Sequence, residues 1–157
     1  PIGEIRIISD GENLRALDFE DYEQRMEKLL QRHYGSYDLE PMKNPNGVSD
    51  VMERYFAGEL DAIDEVTVAA NGTEFQSAVW EQLRNVPLGT TWSYGELARR
   101  VGKPKASRAV GLANGSNPIA IVVPCHRVIG ANGSLTGYGG GMERKQWLLV
   151  HEGVNLI

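Results

Sequence analysis

The sequence predicts two domains, a small α/β domain over residues 1–71 and a mostly helical domain over residues 72–157. Alternating apolar and polar residues at the start of the chain are typical of a β-hairpin, and a helical pattern follows them. The turn signal Asn71-Gly72 closes an acidic, β-prone stretch and marks the boundary. Beyond it, capping boxes at 73–76 and 93–96 open successive helices. Strands with a helix, followed by helices alone, indicate an α/β domain joined to an α domain.

The first domain is predicted to contain a hairpin and two helices. Residues 1–8 and 14–19 alternate apolar and polar side chains on either side of a Ser-Asp-Gly turn. From Glu20 the apolar residues recur at helical spacing, and this helix is expected to end near Gly35. A loop rich in Pro, Asn and Gly separates it from a short helix, for which Ser49 is the expected N-cap.

The two predicted domains differ in net charge. The whole chain carries a net charge of -5, but residues 1–71 contain 7 Lys and Arg against 16 Asp and Glu, a net of -9. Residues 72–157 contain 9 basic against 5 acidic residues, a net of +4. Because DNA is a polyanion, we expect the second domain to provide any DNA-binding surface.

One cysteine and three histidines among 157 residues exclude several kinds of site. A single cysteine cannot form an intrachain disulfide or a cysteine-rich zinc site, and the histidines do not have the spacing of metal ligands. The sequence contains no long apolar stretch and no signal peptide, which predicts a cytoplasmic protein without a membrane segment. We therefore expect no metal and no cofactor.

A helix, a short turn and a second helix form the first candidate functional pattern. The first helix begins at Ser93 and stops at Gly102, and a basic turn follows. The second helix covers residues 106–115, consists of small residues and carries one large charge, Arg108. This order is typical of helix-turn-helix proteins that bind DNA, although small residues also occur where two helices only pack closely. The basic turn and the positive charge of the domain favour DNA binding.

The only cysteine, Cys125, lies in a segment that would hold it firmly. An apolar run ends at Val123, and the proline that follows restricts Val123 to extended geometry, which predicts a buried strand before a rigid turn. His126 and Arg127 follow directly, and a neighbouring cation lowers the pKa of a thiol from about 8.5 toward neutrality. A lone cysteine can also be a buried filler residue. A filler needs neither the proline nor two adjacent basic residues, which favours a reactive thiol.

Two further features follow the cysteine. Residues 130–141 are too rich in glycine to be regular, and they would let the backbone approach a flat ligand closely. They lack the Lys-Ser/Thr pair of a phosphate-binding loop. A helix is predicted over residues 142–153, with Glu152 at its C-terminal end, where a carboxylate opposes the helix dipole. Glu152 is therefore either a solvated end residue or the partner of a functional group.

Five segments together resemble the O6-alkylguanine-DNA alkyltransferases, and most closely the constitutive bacterial branch of that family. They are Pro-Cys-His-Arg-Val at 124–128, Ser-Tyr-Gly-Glu-Leu-Ala at 93–98, Arg-Ala-Val-Gly at 108–111, Asn-Pro at 117–118 and Trp-Leu-Leu-Val-His-Glu-Gly at 147–153. The resemblance implies a ribonuclease H-like first domain, a small sheet with a helix, and a second domain with a winged-helix-like helix-turn-helix. It also implies a monomer that irreversibly transfers the alkyl group from O6-alkylguanine, and less readily from O4-alkylthymine, in double-stranded DNA to Cys125.

The resemblance also implies catalytic roles by position. Cys125 would accept the alkyl group, His126 would act as a base through a water molecule, and Glu152 would orient His126. Tyr94 would crowd the phosphate and hydrogen-bond the flipped base, and Asn117 would tie the second helix to the active-site strand. A base held by a carboxylate follows the logic of catalytic triads on other folds.

A DNA surface and a base pocket are implied in the same way. Arg108 would enter the base stack after the damaged nucleotide has flipped out, because the O6 of a stacked guanine is not open to in-line attack. The other implied DNA contacts are Ser93, Tyr94, Ala106, Ser107, Gly111 and Arg127. The implied pocket residues are Val128, Tyr138 and Gly139.

The chain departs from the family pattern in three places. It begins at what resembles the second strand of the family's first hairpin, so a leading strand is expected to be missing from it. The Cys and His residues with which some relatives bind zinc in the first domain are absent, which again predicts no metal. Gly139 replaces a pocket serine of some relatives, so a backbone donor is expected where a side-chain contact is lost.

Two other functions stay open from the sequence alone. A binding module would recognise alkylated bases without chemistry, and a thiol hydrolase would use Cys125 as a turnover nucleophile. The thiol argues against the first, because noncatalytic relatives of the family lack it. The absence of an evident oxyanion-hole signature and the presence of a helix-turn-helix argue against the second.

Overall fold

The structure is a computed structural model, and it describes residues 3–35, 39–130, 138 and 141–154. The chain divides into two units, which are Pro1–Asn71 with Pro118–Val122 and Gly72–Asn117 with Val123–Ile157. The division after Asn71 falls at the predicted domain boundary. The sequence did not predict that Pro118–Val122 belongs with the first unit.

A β-hairpin forms the sheet of the first unit. β1 (Ile5–Ser9) pairs antiparallel with β2 (Leu14–Phe19), in a register that places Ile5 opposite Phe19. The carboxylate of Asp10 closes the turn, because it accepts two N–H groups of the turn at 2.9 and 2.8 Å. Five of the six residues of β2 are buried, so this strand lies at the centre of the core of the unit.

Two helices complete the first unit. α1 (Glu23–Tyr34) ends at Gly35, whose φ of 69° is the left-handed geometry that glycine adopts readily, as the sequence predicts. Met26 and Leu30 of α1 are buried and pack against Ala16 of β2. The hairpin is therefore covered on one side by the apolar face of α1.

The second helix, α2 (Val48–Phe56), begins two residues earlier than an N-cap at Ser49 would allow. Gly47 is the N-cap, and Ser49 lies inside the first turn, so the prediction for Ser49 is wrong. The side chain of Asn44 does part of the capping instead. Its carbonyl accepts the N–H of Asp50 at 3.1 Å, and its amide donates to the Asp50 carboxylate at 3.0 Å. A polar side chain from the preceding loop thus satisfies an N–H group of the first turn.

Backbone hydrogen bonds explain why Pro118–Val122 belongs with the first unit. The N–H of Leu17 donates to the Pro118 carbonyl at 3.0 Å, and the N–H of Ala120 donates to the Leu17 carbonyl at 2.8 Å. Ile119 therefore forms a single parallel bridge with β2. The segment extends the small sheet by one residue only.

The apolar run before the cysteine is buried as predicted, but it is not a strand after Ile119. Ile121 has a φ of 69°, and the N–H of Val122 donates to the Ala120 carbonyl at 2.7 Å. This three-residue turn is a γ-turn, and positive φ at a β-branched residue is strained. The turn redirects the chain from the sheet of the first unit toward Cys125.

The second unit is mostly helical. Its elements are α3 (Glu74–Leu83), β3 (Trp92–Ser93), α4 (Tyr94–Arg100), α5 (Ser107–Gly115), a 3₁₀ helix at Cys125–Arg127, β4 (Val128–Ile129) and α6 (Met142–His151). The indole N–H of Trp80 on α3 donates to the Ala113 carbonyl of α5 at 2.8 Å, which fixes these two helices to each other. No helix within the described ranges is long and apolar enough to span a membrane.

The two predicted capping boxes differ in the structure. Thr73 and Gln76 form both reciprocal bonds, at 3.1 and 2.9 Å, and open α3. The Ser93 hydroxyl accepts the N–H of Glu96 at 3.0 Å and so caps α4. The carboxylate of Glu96 does not return that bond but accepts from two arginines later in the same helix. The second box is therefore half formed.

Candidate active site

A short parallel pairing brings the helix-turn-helix segment to the cysteine. β3 comes immediately before α4, and β4 follows the 3₁₀ helix that begins at Cys125. Trp92 pairs with Val128, and Ser93 pairs with Ile129. The start of α4 is therefore fixed close to the segment that carries the thiol.

Hydrogen bonds to the main chain hold the cysteine in place. Pro124 has φ -82° and ψ 67°, the geometry of an inverse γ-turn, and the Cys125 N–H donates to the Val123 carbonyl at 2.8 Å. The side-chain amide of Asn117 donates to the same carbonyl at 2.8 Å. The amide of Asn114 donates to the Cys125 carbonyl at the longer distance of 3.5 Å. The end of α5 thus holds the chain before and after the buried thiol.

A buried cluster of three side chains lies next to the cysteine. The His126 ring is fully buried, and its Nε2 lies 3.0 Å from the Glu152 carboxylate. The Arg127 guanidinium donates to both oxygens of the same carboxylate at 2.8 and 3.0 Å, and also to the Val86 carbonyl at 3.0 Å. One carboxylate at the C-cap of α6 therefore orients an imidazole and a guanidinium at once.

The protonation states of the cluster follow from burial and charge. Burial lowers the pKa of His126, and the Glu152 carboxylate offsets only part of that effect. Burial raises the pKa of Glu152, but His126 and Arg127 together outweigh it and hold that pKa well below its usual range. Near neutral pH the imidazole is therefore neutral and the carboxylate charged.

The tautomer of His126 follows from the same geometry. The nitrogen that faces a carboxylate must donate, so Nε2 carries the proton and Nδ1 has a free lone pair. Nδ1 is buried and has no hydrogen-bond partner among the described residues. The structure thus presents a base that is oriented at one nitrogen and able to accept a proton at the other.

Lys145 is a second charged group buried beside the cysteine segment. The residue is fully buried on α6, and its Nζ donates to the Val128 carbonyl at 2.7 Å. Burial lowers the pKa of Lys145 to about 8, while the negative charge of Cys125 acts in the opposite direction. An ammonium close enough to feel the sulfur also stabilises the thiolate form of the cysteine.

The residues for which the resemblance implied DNA contacts lie mainly on α4 and α5. Tyr94 begins α4, and its ring lies 3.8 Å from the point where Gly111 of α5 would carry a side chain. Arg108 is exposed on α5, and no ion pair joins it to any residue that the structure describes. Ser107 is exposed and Ala106 is half-buried at the helix start. On α5, these residues form a surface of small side chains with one cation, Arg108.

Comparison with known proteins identifies the family. The family model described as "6-O-methylguanine DNA methyltransferase, ribonuclease-like domain" matches residues 1–81, and the model for the DNA binding domain of the same methyltransferase matches residues 74–154. The chain belongs to the O6-methylguanine DNA methyltransferase family. The methylated-DNA–protein-cysteine methyltransferase of Shigella flexneri is 52% identical over 160 residues, which cover 100% of this chain and 94% of that protein. The protein of the same name from Methanosarcina acetivorans is 49% identical, over 98% of this chain and 94% of its own length.

Solved structures support the same assignment. The crystal structure of Mycobacterium tuberculosis OGT in complex with DNA matches with a TM-score of 0.82 and 44% sequence identity, over 98% of this chain and 88% of that one. An O6-methylguanine-DNA methyltransferase from a hyperthermophilic archaeon, Pyrococcus kodakaraensis, matches with a TM-score of 0.76 and 30% identity, over 96% of this chain and 91% of that one. The predicted two-domain architecture, with a small first sheet and a helical second domain, is confirmed.

The site brings together four of the five residues for which the family resemblance implied catalytic roles. Cys125 and His126 are adjacent on the 3₁₀ helix, Glu152 binds His126, and Asn117 ties the end of α5 to the Val123 carbonyl as expected. Because Glu152 is only 3% exposed, it is not a solvated end residue. Cys125 is buried too, but a charged side chain is close to it, since Cys125 acts on the pKa of the buried Lys145.

Arg127 does not have the position that the sequence predicted for it. A DNA contact was expected, yet Arg127 is only 4% exposed and its guanidinium binds Glu152 and the Val86 carbonyl. Reaching a phosphate would break a buried ion pair, which is costly. The prediction is corrected: Arg127 holds the carboxylate that holds His126.

The predicted pocket is only partly visible. Val128 is fully buried in β4, and its carbonyl is bound by Lys145. Tyr138 is half-buried, and its carbonyl accepts the N–H of Gly141 at 2.9 Å. Gly139 and Gly140 lie outside the described residues.

Two residues that hold the site, Lys145 and Asn114, were not found from the sequence. Lys145 and Glu152 share one face of α6 with Leu148 and Leu149, since the four positions follow the helical spacing i, i+3, i+4, i+7. The helical spacing that places Lys145 on the same face as two buried leucines could have indicated that Lys145 is buried. Asn114 had no such signal beyond its place on the inner face of α5. In the described part of the chain, no group of three or more His, Cys, Asp or Glu could hold a metal ion.

Proposed function

We propose that this protein repairs DNA by transferring the alkyl group of O6-alkylguanine to the sulfur of Cys125. The observation that carries the proposal is the fully buried His126, oriented by Glu152 at Nε2 and available at Nδ1, directly after the cysteine. A base next to a thiol is the arrangement that generates a nucleophile near neutral pH. The Shigella flexneri relative is named a methylated-DNA–protein-cysteine methyltransferase, which agrees with transfer from DNA to a protein cysteine.

The proposed reaction balances without a cofactor. The thiol proton of Cys125 passes to His126 Nδ1 through a water molecule, because neighbouring residues rarely hydrogen-bond side chain to side chain. The thiolate attacks the alkyl carbon, a sulfur–carbon bond forms, and the bond from that carbon to O6 breaks. The electron pair stays on the guanine, which takes up one proton. Lys145 supports the thiolate through its charge.

The chemistry of the product, an S-alkyl cysteine, predicts that each protein molecule reacts only once. An acyl-enzyme has a carbonyl that water can attack, whereas an S-alkyl cysteine has none. Nothing in the proposed mechanism breaks the new sulfur–carbon bond. One protein molecule is therefore expected to repair one lesion, which separates this function from that of a thiol hydrolase.

Access to the lesion requires base flipping, which we also propose. The buried Cys125 cannot reach a stacked guanine, and extrusion of one nucleotide costs a few kcal/mol. Exposed Arg108 would fill the gap, and Tyr94 at the start of α4 would contact the backbone and the extruded base. The same pocket would accept O4-alkylthymine, which carries the alkyl group on an equivalent exocyclic oxygen. The helix-turn-helix of α4 and α5, with a winged-helix-like form, is the proposed DNA-binding element.

The test is a stoichiometry measurement with labelled alkylated duplex. Product is expected to level off at one equivalent per active protein, with the alkyl mass on the peptide that contains Cys125. Cys125→Ala should abolish transfer and keep DNA affinity within a few fold, because a buried thiol contributes little to phosphate binding. Continued product formation beyond one equivalent, or label on another residue, would reject the proposal. The monomeric state and the cytoplasmic location stay predictions.

A further inference from the structure

The outer face of α5 contains one large apolar side chain that the fold does not use. The exposed residues of this helix are Ser107, Arg108, Ala109, Leu112 and Gly115. All are small except Arg108 and Leu112. Leu112 is 71% exposed, and no other large hydrophobic residue that the structure describes is more exposed.

The inner face of α5 shows that the fold does not require this leucine. Val110, Ala113 and Asn114 are buried, and they meet Trp80 and the cysteine segment. Leu112 points away from these contacts. A leucine in water forgoes about 1.5–3 kcal/mol of burial free energy. Single exposed apolar residues are common on protein surfaces, but Leu112 shares the exposed face of the proposed DNA-binding helix with its one cation, and this placement favours a partner that buries it.

The spacing of the two large side chains defines where that partner must lie. Arg108 and Leu112 are four residues apart, so they share a face and lie about 6 Å apart along the helix axis. Stacked base pairs are about 3.4 Å apart. With Arg108 in the gap of a flipped nucleotide and α5 lying along the groove, Leu112 would reach the duplex one or two base steps away.

The charges around Leu112 fit DNA as the partner. The exposed face of α5 carries a cation and no acidic residue, and the turn before it exposes Lys103 and Lys105. Leucine is among the side chains that proteins insert as apolar wedges between base steps, which unstacks them and bends the duplex. An apolar side chain beside a basic face is the expected composition of such a wedge.

We propose that Leu112 is a wedge that loosens the base step one or two pairs from the damaged nucleotide. This inference rests on the proposed function, in which Arg108 replaces a flipped base. The wedge would make repair depend on the DNA sequence beside the lesion, which Arg108 alone would not do. Pyrimidine–purine steps such as TA unstack more easily than other steps, so repair should depend on the sequence beside the lesion.

The experiment compares Leu112→Ala with a matched control, Val150→Ala. Val150 is 56% exposed on α6 and belongs to no part of the site, so both variants remove an exposed apolar side chain without disturbing the core. Duplexes carry one O6-methylguanine, with a TA or a GG step one or two pairs away on either side. The readouts are the second-order rate constant of transfer on both duplexes and, on the TA duplex, the fluorescence of 2-aminopurine in place of the adenine of that step.

The wild type should repair the TA duplex several-fold faster than the GG duplex and should brighten the 2-aminopurine. Leu112→Ala should slow repair of the TA duplex by about tenfold, bring the two rates together and leave the fluorescence low. Transfer from free O6-methylguanine should not change, and Val150→Ala should behave as wild type. A preference for TA that survives in Leu112→Ala, a wild type without preference, or an equal effect of Val150→Ala would each overturn the proposal.

Failure of the proposed function looks different. In that case the wild type would transfer no alkyl group from either duplex. The 2-aminopurine signal still reports on Leu112, because it needs binding and not chemistry. Dim 2-aminopurine with the bound wild type would reject the wedge, whatever the transfer assay gives.

Discussion

Glu152→Gln is expected to destabilise the protein more than a typical single substitution. The change keeps the shape of the side chain but removes the charge that faces Arg127 and His126, both almost fully buried. The wild-type carboxylate takes part in three side-chain contacts at 2.8 to 3.0 Å. Removing one partner of a buried pair leaves an uncompensated charge and costs about 3–5 kcal/mol. For a chain of this size that is a fall in Tm of roughly 6–20 °C.

A second variant separates charge from shape. Arg127→Met together with Glu152→Gln removes both charges of the ion pair, so most of the lost stability should return. Neither variant should transfer alkyl groups at the wild-type rate, because His126 lacks its anionic partner in both. The measurements are urea unfolding and single-turnover transfer for each variant. Unchanged unfolding free energy in Glu152→Gln, or a double variant no more stable than the single one, would refute the buried ion pair.

Two more predictions concern Lys145 and Arg108. Burial lowers the pKa of Lys145 from 10.5 to about 8, so between those pH values the unfolded chain binds the extra proton and the free energy of unfolding should rise with pH. This rise, about 3 kcal/mol at most, should be missing from Lys145→Met in urea unfolding at pH 7.5 to 10.5, and equal slopes in both proteins would contradict it. Arg108→Ala should slow repair of duplex on the order of a hundredfold while sparing transfer from free O6-methylguanine. Lys103→Ala is its control, since loss of an exposed phosphate ligand should weaken binding to all sequences alike, and equal losses on both substrates in Arg108→Ala would exclude a flipping role.

The parts of the fold that the sequence predicts are those that depend on neighbouring residues. The hairpin turn, the Thr73 capping box and the glycine at the end of α1 each form within a few residues. The bridge between Leu17 and Ile119 joins residues about a hundred positions apart, and a hydrophobic run does not specify which distant strand it meets. The start of α2 is a third case. Local preference favoured Ser49 as the N-cap, but the side chain of Asn44 in the preceding loop does part of the capping.

The site also contains residues that the sequence could predict and residues that only the folded structure reveals. The proline and the basic residues around Cys125 predicted a reactive thiol, whereas the roles of His126 as the base and of Glu152 as its partner came from the family resemblance. Arg127 was misplaced because a charged residue is normally exposed, and only the folded structure shows that Glu152 makes its burial favourable. Lys145 could have been found from the period of α6, whereas Asn114 could not, since an amide on a helix gives no sign of the carbonyl that it will meet.

A single helix supplies both charges that act on the cysteine segment. Lys145 and Glu152 lie two turns apart on α6, and they bind the two ends of the segment that runs from His126 to Val128. The thiolate and the Lys145 ammonium stabilise each other, since the negative charge of Cys125 raises the pKa of the lysine. The proposed transfer replaces a thiol that can ionise with a neutral thioether that cannot, so the buried ammonium can no longer gain this stabilisation. The charges that prepare the thiol for one reaction are therefore mismatched to its product, and the alkyl group adds volume to a packed site. We expect the added volume to make the spent protein less stable than the protein that binds the lesion, by about 1–3 kcal/mol.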